Sequence, residues 1–271
     1  WMVGAQLRPG STHSLAEGTI GFFLESVDRA LAMVQEAPIV VVADSGFDSR
    51  ELIHGLHEKK RTDFVIKHNL RRETKESWLE TAREHARDVR PLERKKESGT
   101  IYRGSVTRAV KGIKEPVRMV FEVTEVTRQK GQQLLVPEIR VCVLWTSLEL
   151  PEEDVLKIYR DRGTSEQYHA ELKSEMDMER LPSGKFVVNN AFLLLGMLVY
   201  NMLKVVGRDM VFARALGLKK ATRRRMKTVM RSVMLMCGRI IHHSRQLTLR
   251  LSCTGPWYAF FSGLLGRLQA A

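Results

Sequence analysis

Hydrophobic residues recur along this chain with two periods, and the longer of them predicts helices. Residues 14–36 place their apolar side chains on one side of a 3.6-residue repeat, which predicts an amphipathic helix. Ile39–Ala43 is an unbroken run of apolar residues, most of them β-branched, which is typical of a strand buried on both faces. Phe64–Ile66 predicts the next strand, after a helical stretch that follows Asp44.

The shorter period, an alternation of apolar and polar residues, dominates residues 98–150. It predicts strands that bury one face, and glycines together with Pro137 interrupt the runs as turns require. Residues 71–97, by contrast, are dense in charges of both signs, and we predict a helix or an exposed segment there. The alternating apolar positions are Val117, Met119, Phe121 and Val123 in one run, and Ile139, Val141, Val143 and Trp145 in another.

The last third of the chain predicts further helices and one hairpin. Pro151 and the three acids after it predict a helix start, because proline suits the first position and acids suit the positive end. Phe192–Val206 is apolar apart from two residues, but it is shorter than the roughly 20 residues of a membrane span, so we predict a buried core helix. Residues 239–251 alternate and predict a hairpin around Ser244, and residues 257–271 predict a short helix that packs on the rest.

Charge changes this picture, because the net charge of +13 lies almost entirely in one region. Between Lys204 and Arg250 there are thirteen Lys and Arg residues against one acid, Asp209. Such an asymmetry indicates a polyanionic partner, and we predict contact with DNA phosphates, although a solvated helix face is the alternative. The three cysteines form no CxxC pair, which indicates reduced thiols inside a cell.

Four residues after Pro151 have a spacing that suggests chemistry. Tyr159, Arg162, Glu166 and Lys173 follow the pattern Y-x2-R-x3-E-x6-K. On a continuous α-helix the last three fall within about 60° of Tyr159, along about 21 Å of axis. A carboxylate between two cations on one face suits Mg²⁺ and a run of phosphates. A solvated charged face is the simpler interpretation for any two of these residues.

Two aspartates compete for a metal-binding role near the start of the chain. Asp44 follows the strand Ile39–Ala43, and ligand sites in α/β sheets favour the carboxyl ends of strands. Asp48 precedes a helical stretch and has Glu51 three residues later, so a capping box explains it without chemistry. We therefore assign metal binding to Asp44 and helix capping to Asp48.

These residues together resemble a known family. The Y-R-E-K pattern and the Asp-x-Gly-Phe sequence at Asp44 are similar to motifs of the DDE transposases of the insertion-sequence-4 superfamily, and the insertion-sequence-1380 type is the nearest group. The opening GAQLRPGSTHS and the stretch RLPSGKFVVNNAFLLLGMLVYNMLKVV also resemble that family. The similarity extends to about residue 251 and is weakest between residues 70 and 140.

The resemblance implies an α/β fold with a ribonuclease-H-like catalytic core, interrupted by a β-rich insertion and followed by a basic C-terminal region. It predicts residues 1–97 and 151–207 as the two parts of the core, 98–150 as the insertion, and 208–271 as the region that contacts DNA. It also implies that Asp44 and Glu166 are catalytic and hold two Mg²⁺ ions. Tyr159, Arg162 and Lys173 would bind DNA phosphates beside the cleaved bond.

A DDE site needs three carboxylates, and only two match the family's motifs here. The acids before Asp44 are Glu17, Glu25, Asp28 and Glu36, all within the predicted first helix. We therefore expect an N-terminally truncated chain that lacks the first aspartate and is inactive alone. The alternatives are a DNA-binding transposase remnant without chemistry and, less favoured, another nuclease of ribonuclease-H-like fold.

The resemblance also implies partners and a location. We expect double-stranded DNA as the partner, a homodimer when two transposon ends are joined, no membrane, and a place in the bacterial cytoplasm. Trp78 or Trp145 would stack on an extruded base if either were exposed, although a core position is the more common role for tryptophan.

Overall fold

The computed structural model describes residues 1–10, 12, 15–71, 73–94, 96–212, 223–235, 238–243, 245–253 and 257–269. They form two compact units. The sheet unit comprises residues 9–163, and the C-terminal unit comprises residues 1–8 together with 164–271.

The sheet unit alternates helices and strands before it becomes a long antiparallel meander. Its elements in chain order are α1 (Thr19–Met33), β1 (Ile39–Ala43), α2 (Arg50–His57), β2 (Thr62–Lys67), α3 (Lys75–His85), β3 (Ala86–Arg94), β4 (Glu97–Arg108), β5 (Val117–Gln129), β6 (Gln132–Thr146) and α4 (Glu152–Asp161).

All six strands belong to one mixed sheet with the order β1-β2-β6-β5-β4-β3. β1 and β2 pair in parallel, and every other neighbouring pair is antiparallel. This mixed α/β architecture is consistent with the predicted ribonuclease-H-like core. The strands predicted as an insertion extend the sheet that β1 and β2 begin, and the four-part division of the chain stays a prediction.

The alternation of side chains along the strands buries both faces of the sheet. On β2, Phe64 and Ile66 pack into the cluster formed with α2 and α3, whereas Val65 packs against α4. On β5, Phe121 likewise packs into the cluster with α2 and α3, and Val120 packs into the cluster with α4. The apolar positions predicted from the alternation all pack in the first cluster, which confirms that prediction.

The first hundred residues differ from expectation in two places. The helix predicted at 14–36 is shorter and forms α1, and Ser14 lies outside the described residues. The segment 71–97 is helical only at its start, because α3 ends at His85 and the chain then enters β3. Thr74 caps α3, since its hydroxyl accepts a hydrogen bond from the Ser77 N–H at 3.1 Å.

The C-terminal unit is mainly helical. Its hairpin, β7 (Gly238–His243) and β8 (Gln246–Leu251), confirms the predicted strand pair, while Ser244 lies outside the described residues. In chain order the elements are α5 (Gly163–Ala170), a π-helical turn (Glu171–Glu175), α6 (Phe186–Phe212), α7 (Met226–Val229), a second π-helical turn (Met230–Met234), β7 (Gly238–His243), β8 (Gln246–Leu251) and α8 (Tyr258–Gln269).

The prediction of a buried core helix at 192–206 is wrong. α6 is 27 residues long, and several of its apolar side chains are more than half exposed, among them Leu195, Leu198 and Met202. By length and composition alone, the stretch Phe186–Val211 could cross a membrane, with a mean hydropathy of 1.7. One buried stripe, which includes Tyr200, Leu203 and Met210, packs against α7 and α8.

Gly99 and Gly21 predict opposite effects of the same substitution. A Cβ at Gly99 would collide with the carbonyl oxygen of Glu125 on β5, whereas a Cβ at Gly21 on α1 would meet open space. We expect Gly99→Ala to lower the free energy of unfolding by about 2 kcal/mol. We expect Gly21→Ala to raise it by about 0.5–1 kcal/mol, because alanine favours helix. Urea unfolding of both variants tests this, and shifts of the same sign would contradict the described packing.

Candidate active site

Asp44 lies where β1 ends, and its surroundings hold the carboxylate at the edge of the sheet. Its Oδ1 accepts a hydrogen bond from the Gly46 N–H at 3.0 Å and so caps the short 3₁₀ turn Ser45–Phe47. The Asp44 side chain remains 43% exposed. A ligand approaching the carboxyl ends of β1 and β2 therefore reaches this carboxylate.

Arg162 binds Asp44 although 118 residues separate them. The Arg162 Nη2 lies 2.8 Å from Asp44 Oδ2 and forms an ion pair with it. Arg162 is the residue at which α4 ends, and Val155 and Leu156 anchor α4 to the sheet.

Tyr159 lies one turn before Arg162, and it packs at the border of the same apolar cluster. Burial raises the pKa of Tyr159, and the neighbouring Arg162 charge opposes that shift. The structure thus gathers three of the predicted site residues, Asp44, Tyr159 and Arg162, within the sheet unit.

Asp48 does not cap α2, so that prediction is wrong. Ser49 is the cap, because its hydroxyl accepts a hydrogen bond from the Leu52 N–H at 3.2 Å. Asp48 is buried instead, with its Oδ2 2.9 Å from His68 Nδ1 and 2.8 Å from the backbone N–H of Asn69. It therefore ties the loop after β1 to the loop after β2.

His68 is the centre of a polar network that sequence reasoning missed. Its Nε2 lies 3.3 Å from Glu73 Oε1, and the indole N–H of Trp145 lies 3.2 Å from its Nδ1. The indole N–H of Trp78 donates to Glu73 Oε2 at 2.7 Å. Both tryptophans are buried, which favours the core interpretation over base stacking. Only the position of His68 just after a strand could have suggested this role.

The donor chemistry at Asp44 suits a divalent ion. A partly exposed carboxylate at a strand end offers the hard oxygen ligands that Mg²⁺ prefers. Within the described ranges, however, no group of three or more His, Cys, Asp or Glu side chains is close enough to hold a metal.

Glu166 and Lys173 belong to the C-terminal unit, and both are exposed. Glu166 lies on α5, and Lys173 lies in the π-helical turn that follows. The expected uninterrupted helix is wrong, because three helical segments share the four motif residues and the 100° step does not hold along all of them. The convergence of Glu166 with Asp44 stays a prediction.

A buried ion pair holds the stretch that contains Glu166. Glu171 is fully buried and pairs with Arg223, while the Tyr200 hydroxyl lies 3.5 Å from the same carboxylate. Burial and, next, the Glu171 charge raise the pKa of Tyr200 to about 12. Arg223 also donates to Gln167 Oε1 at 3.3 Å. The basic segment, residues 223–231, therefore packs onto this stretch.

A second ion pair also joins the basic segment to the π-helical turn after α5. Glu175 pairs with Arg225 at 2.5 Å and accepts a hydrogen bond from the Lys227 N–H at 2.8 Å. Some cations that we predicted to contact DNA thus have a structural role.

Asp48 predicts an acid-dependent loss of stability. Burial alone would raise the pKa of Asp48, but the hydrogen bonds from His68 and Asn69 lower it below its usual value. Because the folded-state pKa is depressed, this stabilisation is present above about pH 4 and is lost as the pH falls through the folded-state value. We expect Asp48→Asn to reduce stability at neutral pH and to flatten the acid limb of a stability–pH curve. An unchanged acid limb would contradict the hydrogen-bonded carboxylate.

The Arg223–Glu171 pair predicts a large stability effect. Arg223→Met leaves a buried carboxylate without its cation, and we expect the free energy of unfolding to fall by about 3 kcal/mol. Adding Glu171→Gln should recover most of that loss. Arg180→Met is the matched control, because both members of the Arg180–Asp177 pair are mostly exposed, at 86% and 69%, and an exposed pair contributes about 0–1 kcal/mol. Equal losses for Arg223→Met and Arg180→Met in urea unfolding would contradict the buried pair.

Comparison with protein-family models matches this chain to a known family. A family model described as transposase DDE domain group 1 matches residues 1–271. A search of curated proteins finds no match to the chain. The match supports the transposase resemblance drawn from the motifs, without distinguishing the insertion-sequence type. The family cleaves and transfers DNA strands in transposition and generally uses divalent metal ions. The chain belongs to the family of DDE transposases described by this group 1 domain.

Proposed function

We propose that this chain acts in cut-and-paste transposition, in metal-dependent cleavage and strand transfer at the ends of an insertion sequence. The observation that supports this most directly is the ion pair between Arg162 and Asp44. It brings a residue of the Y-R-E-K motif to a carboxylate at a strand end, where α/β folds bind ligands. A motif that formed only a solvated helix face would have no reason to contact this residue.

Asp44 and Glu166 are the proposed catalytic carboxylates and metal ligands. Two bound Mg²⁺ ions would activate water or a DNA 3′-hydroxyl and stabilise the leaving oxygen. Both carboxylates are accessible to solvent, as such ligands must be before DNA binds.

Tyr159, Arg162 and Lys173 are the proposed phosphate-binding residues. A guanidinium group has five N–H donors in a planar fork, and the contact with Asp44 uses one nitrogen of Arg162. The remaining donors of Arg162 suit a phosphate oxygen beside the carboxylate. Lysine would supply a charge at position 162 but not this fork, so Arg162→Lys would not preserve the arrangement.

The alternative is a DNA-binding remnant without chemistry. One observation favours it: both oxygens of Asp44 accept protein hydrogen bonds, Oδ1 from Gly46 and Oδ2 from Arg162. A divalent ion would have to compete with the Arg162 guanidinium for Oδ2. Another nuclease of this fold would share the carboxylates, but it would not need the Y-R-E-K pattern.

The partners follow from the same proposal. Double-stranded DNA is the substrate, as the family implies. We propose further that two copies of the chain bring a pair of transposon ends together, and that this takes place in the bacterial cytoplasm without a membrane.

Glu166→Gln separates the two candidate functions. In a protein that also contains the third carboxylate, we expect it to reduce Mg²⁺-dependent cleavage of transposon-end DNA by about 10³-fold, because a metal ligand contributes several kcal/mol to the transition state. DNA affinity should change by less than about twofold, since glutamine keeps the shape of the side chain. Gel assays of cleavage and of binding measure the two effects.

Glu179→Gln is the control, because Glu179 is an exposed acid in the same unit and the charge change is identical. Equal activity of the Glu166→Gln and Glu179→Gln proteins would exclude a catalytic role for Glu166. Binding without any cleavage by the protein that contains the third carboxylate would support the remnant instead.

A further inference from the structure

A basic pocket lies within the C-terminal unit, and its lining includes neither Asp44 nor the residues described around it. Its volume is about 400 Å³, which is within the range of ligand sites. Its lining includes four cations, Lys204, Arg208, Arg223 and Arg224, together with the aromatic ring of Tyr168.

The cations of this pocket exceed the available negative charge. Glu171, which pairs with Arg223, is the one acid that the described contacts place against them, so four cations and one carboxylate leave a charge of +3. Residues 213–222, which precede Arg223 in the sequence, contain no aspartate or glutamate. Burial, followed by the charge of Arg223, lowers the pKa of Lys204. Like charges at this density favour binding of an anion.

The pocket also has buried donors that lack a protein acceptor. Nε of Arg223 and Nε of Arg224 are both buried, and neither has a hydrogen-bond partner within the described part of the chain. Buried N–H groups are costly to leave unpaired, so a ligand that accepts hydrogen bonds would be stabilised here.

The contacts of Tyr168 indicate whether a base or a phosphate of a nucleic acid would enter the pocket. The Lys204 Nζ lies 4.5 Å from the centre of the Tyr168 ring, and the Arg223 guanidinium carbon lies 4.2 Å from it. Because cations already occupy the ring, stacking of a base is disfavoured, and the positive groups are held in fixed positions. The geometry favours a compact, multiply charged acceptor, and a phosphate group has that chemistry.

We propose that this pocket binds a phosphate of the DNA backbone, a site that rests on the proposed function as a transposase. Tyr168 follows Glu166 by two residues, and on an α-helix that step is about 200°, so the two side chains point to opposite sides of α5. The bound phosphate therefore flanks the cleaved bond and is not the reacting one. Substitutions that remove cations of the pocket should weaken DNA binding. They should leave the cleavage rate of DNA that is already bound unchanged.

Arg208→Gln and Arg224→Gln test the pocket, because neither residue pairs with a carboxylate among the described contacts. With a fluorescent DNA duplex and anisotropy over a range of salt concentrations, we expect each variant to bind about fivefold more weakly. Each should also reduce the slope of log affinity against log salt by about 0.9, the value for one lost phosphate contact. Thermal melting checks that each variant is folded.

Lys185→Gln is the matched control, since it removes the same charge from an exposed position of the same unit that lies outside residues 204–250 and does not line the pocket. We expect its affinity to change by less than about twofold. The double variant Arg208→Gln with Arg224→Gln should bind about as weakly as either single variant, because both residues contact one phosphate and their effects are not additive.

Three results are distinguishable. Losses for the two pocket variants no larger than for Lys185→Gln would overturn the pocket. Fully additive losses would overturn it too, because they would show independent charges and not one bound phosphate. If the unmodified protein binds no DNA under any of these conditions, the transposase function fails and the pocket proposal fails with it.

Discussion

The candidate site depends on the burial of both faces of the central strands. Because β2, β5 and β6 alternate between two apolar clusters, one helix must cover the face opposite α2 and α3, and α4 does so. Val155 and Leu156 fix α4 on that face. Its last turn then brings Arg162 to the end of β1, where Asp44 accepts the hydrogen bond. Packing energy thus determines a polar contact between residues 118 positions apart.

A different constraint acts in the C-terminal unit, where some cations hold the structure and others are proposed to bind a phosphate. Arg223 compensates the buried charge of Glu171 and contacts Gln167 and Tyr168, so it holds α5 and the turn after it. A buried ion pair of this kind adds little net stability but is costly to break. Cations without such a partner remain available to a ligand. The excess of positive charge near the C-terminus is therefore not a uniform surface, and the cations divide between these two roles.

The sequence predicts helices and strands well where a local pattern of apolar residues is compatible with only one of the two. The strands at Ile39–Ala43 and 64–66 and the hairpin at 239–251 follow directly from local periodicity. Predictions failed where a partner distant in the sequence decides the result. Asp48 looked like a helix cap because Ser49 and Asp48 satisfy the same local rule, and only the fold shows that His68 and Asn69 bind the aspartate. Likewise, apolar composition does not show which residues of α6 are covered.

The sequence could predict the site only under the assumption that one continuous helix carries the four motif residues. The spacing of the Y-R-E-K pattern identified Arg162, the position after a strand identified Asp44, and the structure joins them. In this contact Nη2 of Arg162 binds Oδ2 of Asp44, an oxygen that Asp44 would offer to a metal ion. While no metal is bound, Arg162 pairs with Asp44 and holds its carboxylate at the end of β1. A divalent ion carries twice the charge of the guanidinium and attracts the same oxygen more strongly. If the proposed metal binds, donors of Arg162 would be freed for a phosphate, and this contact would place the proposed metal ligand beside the proposed phosphate-binding residue.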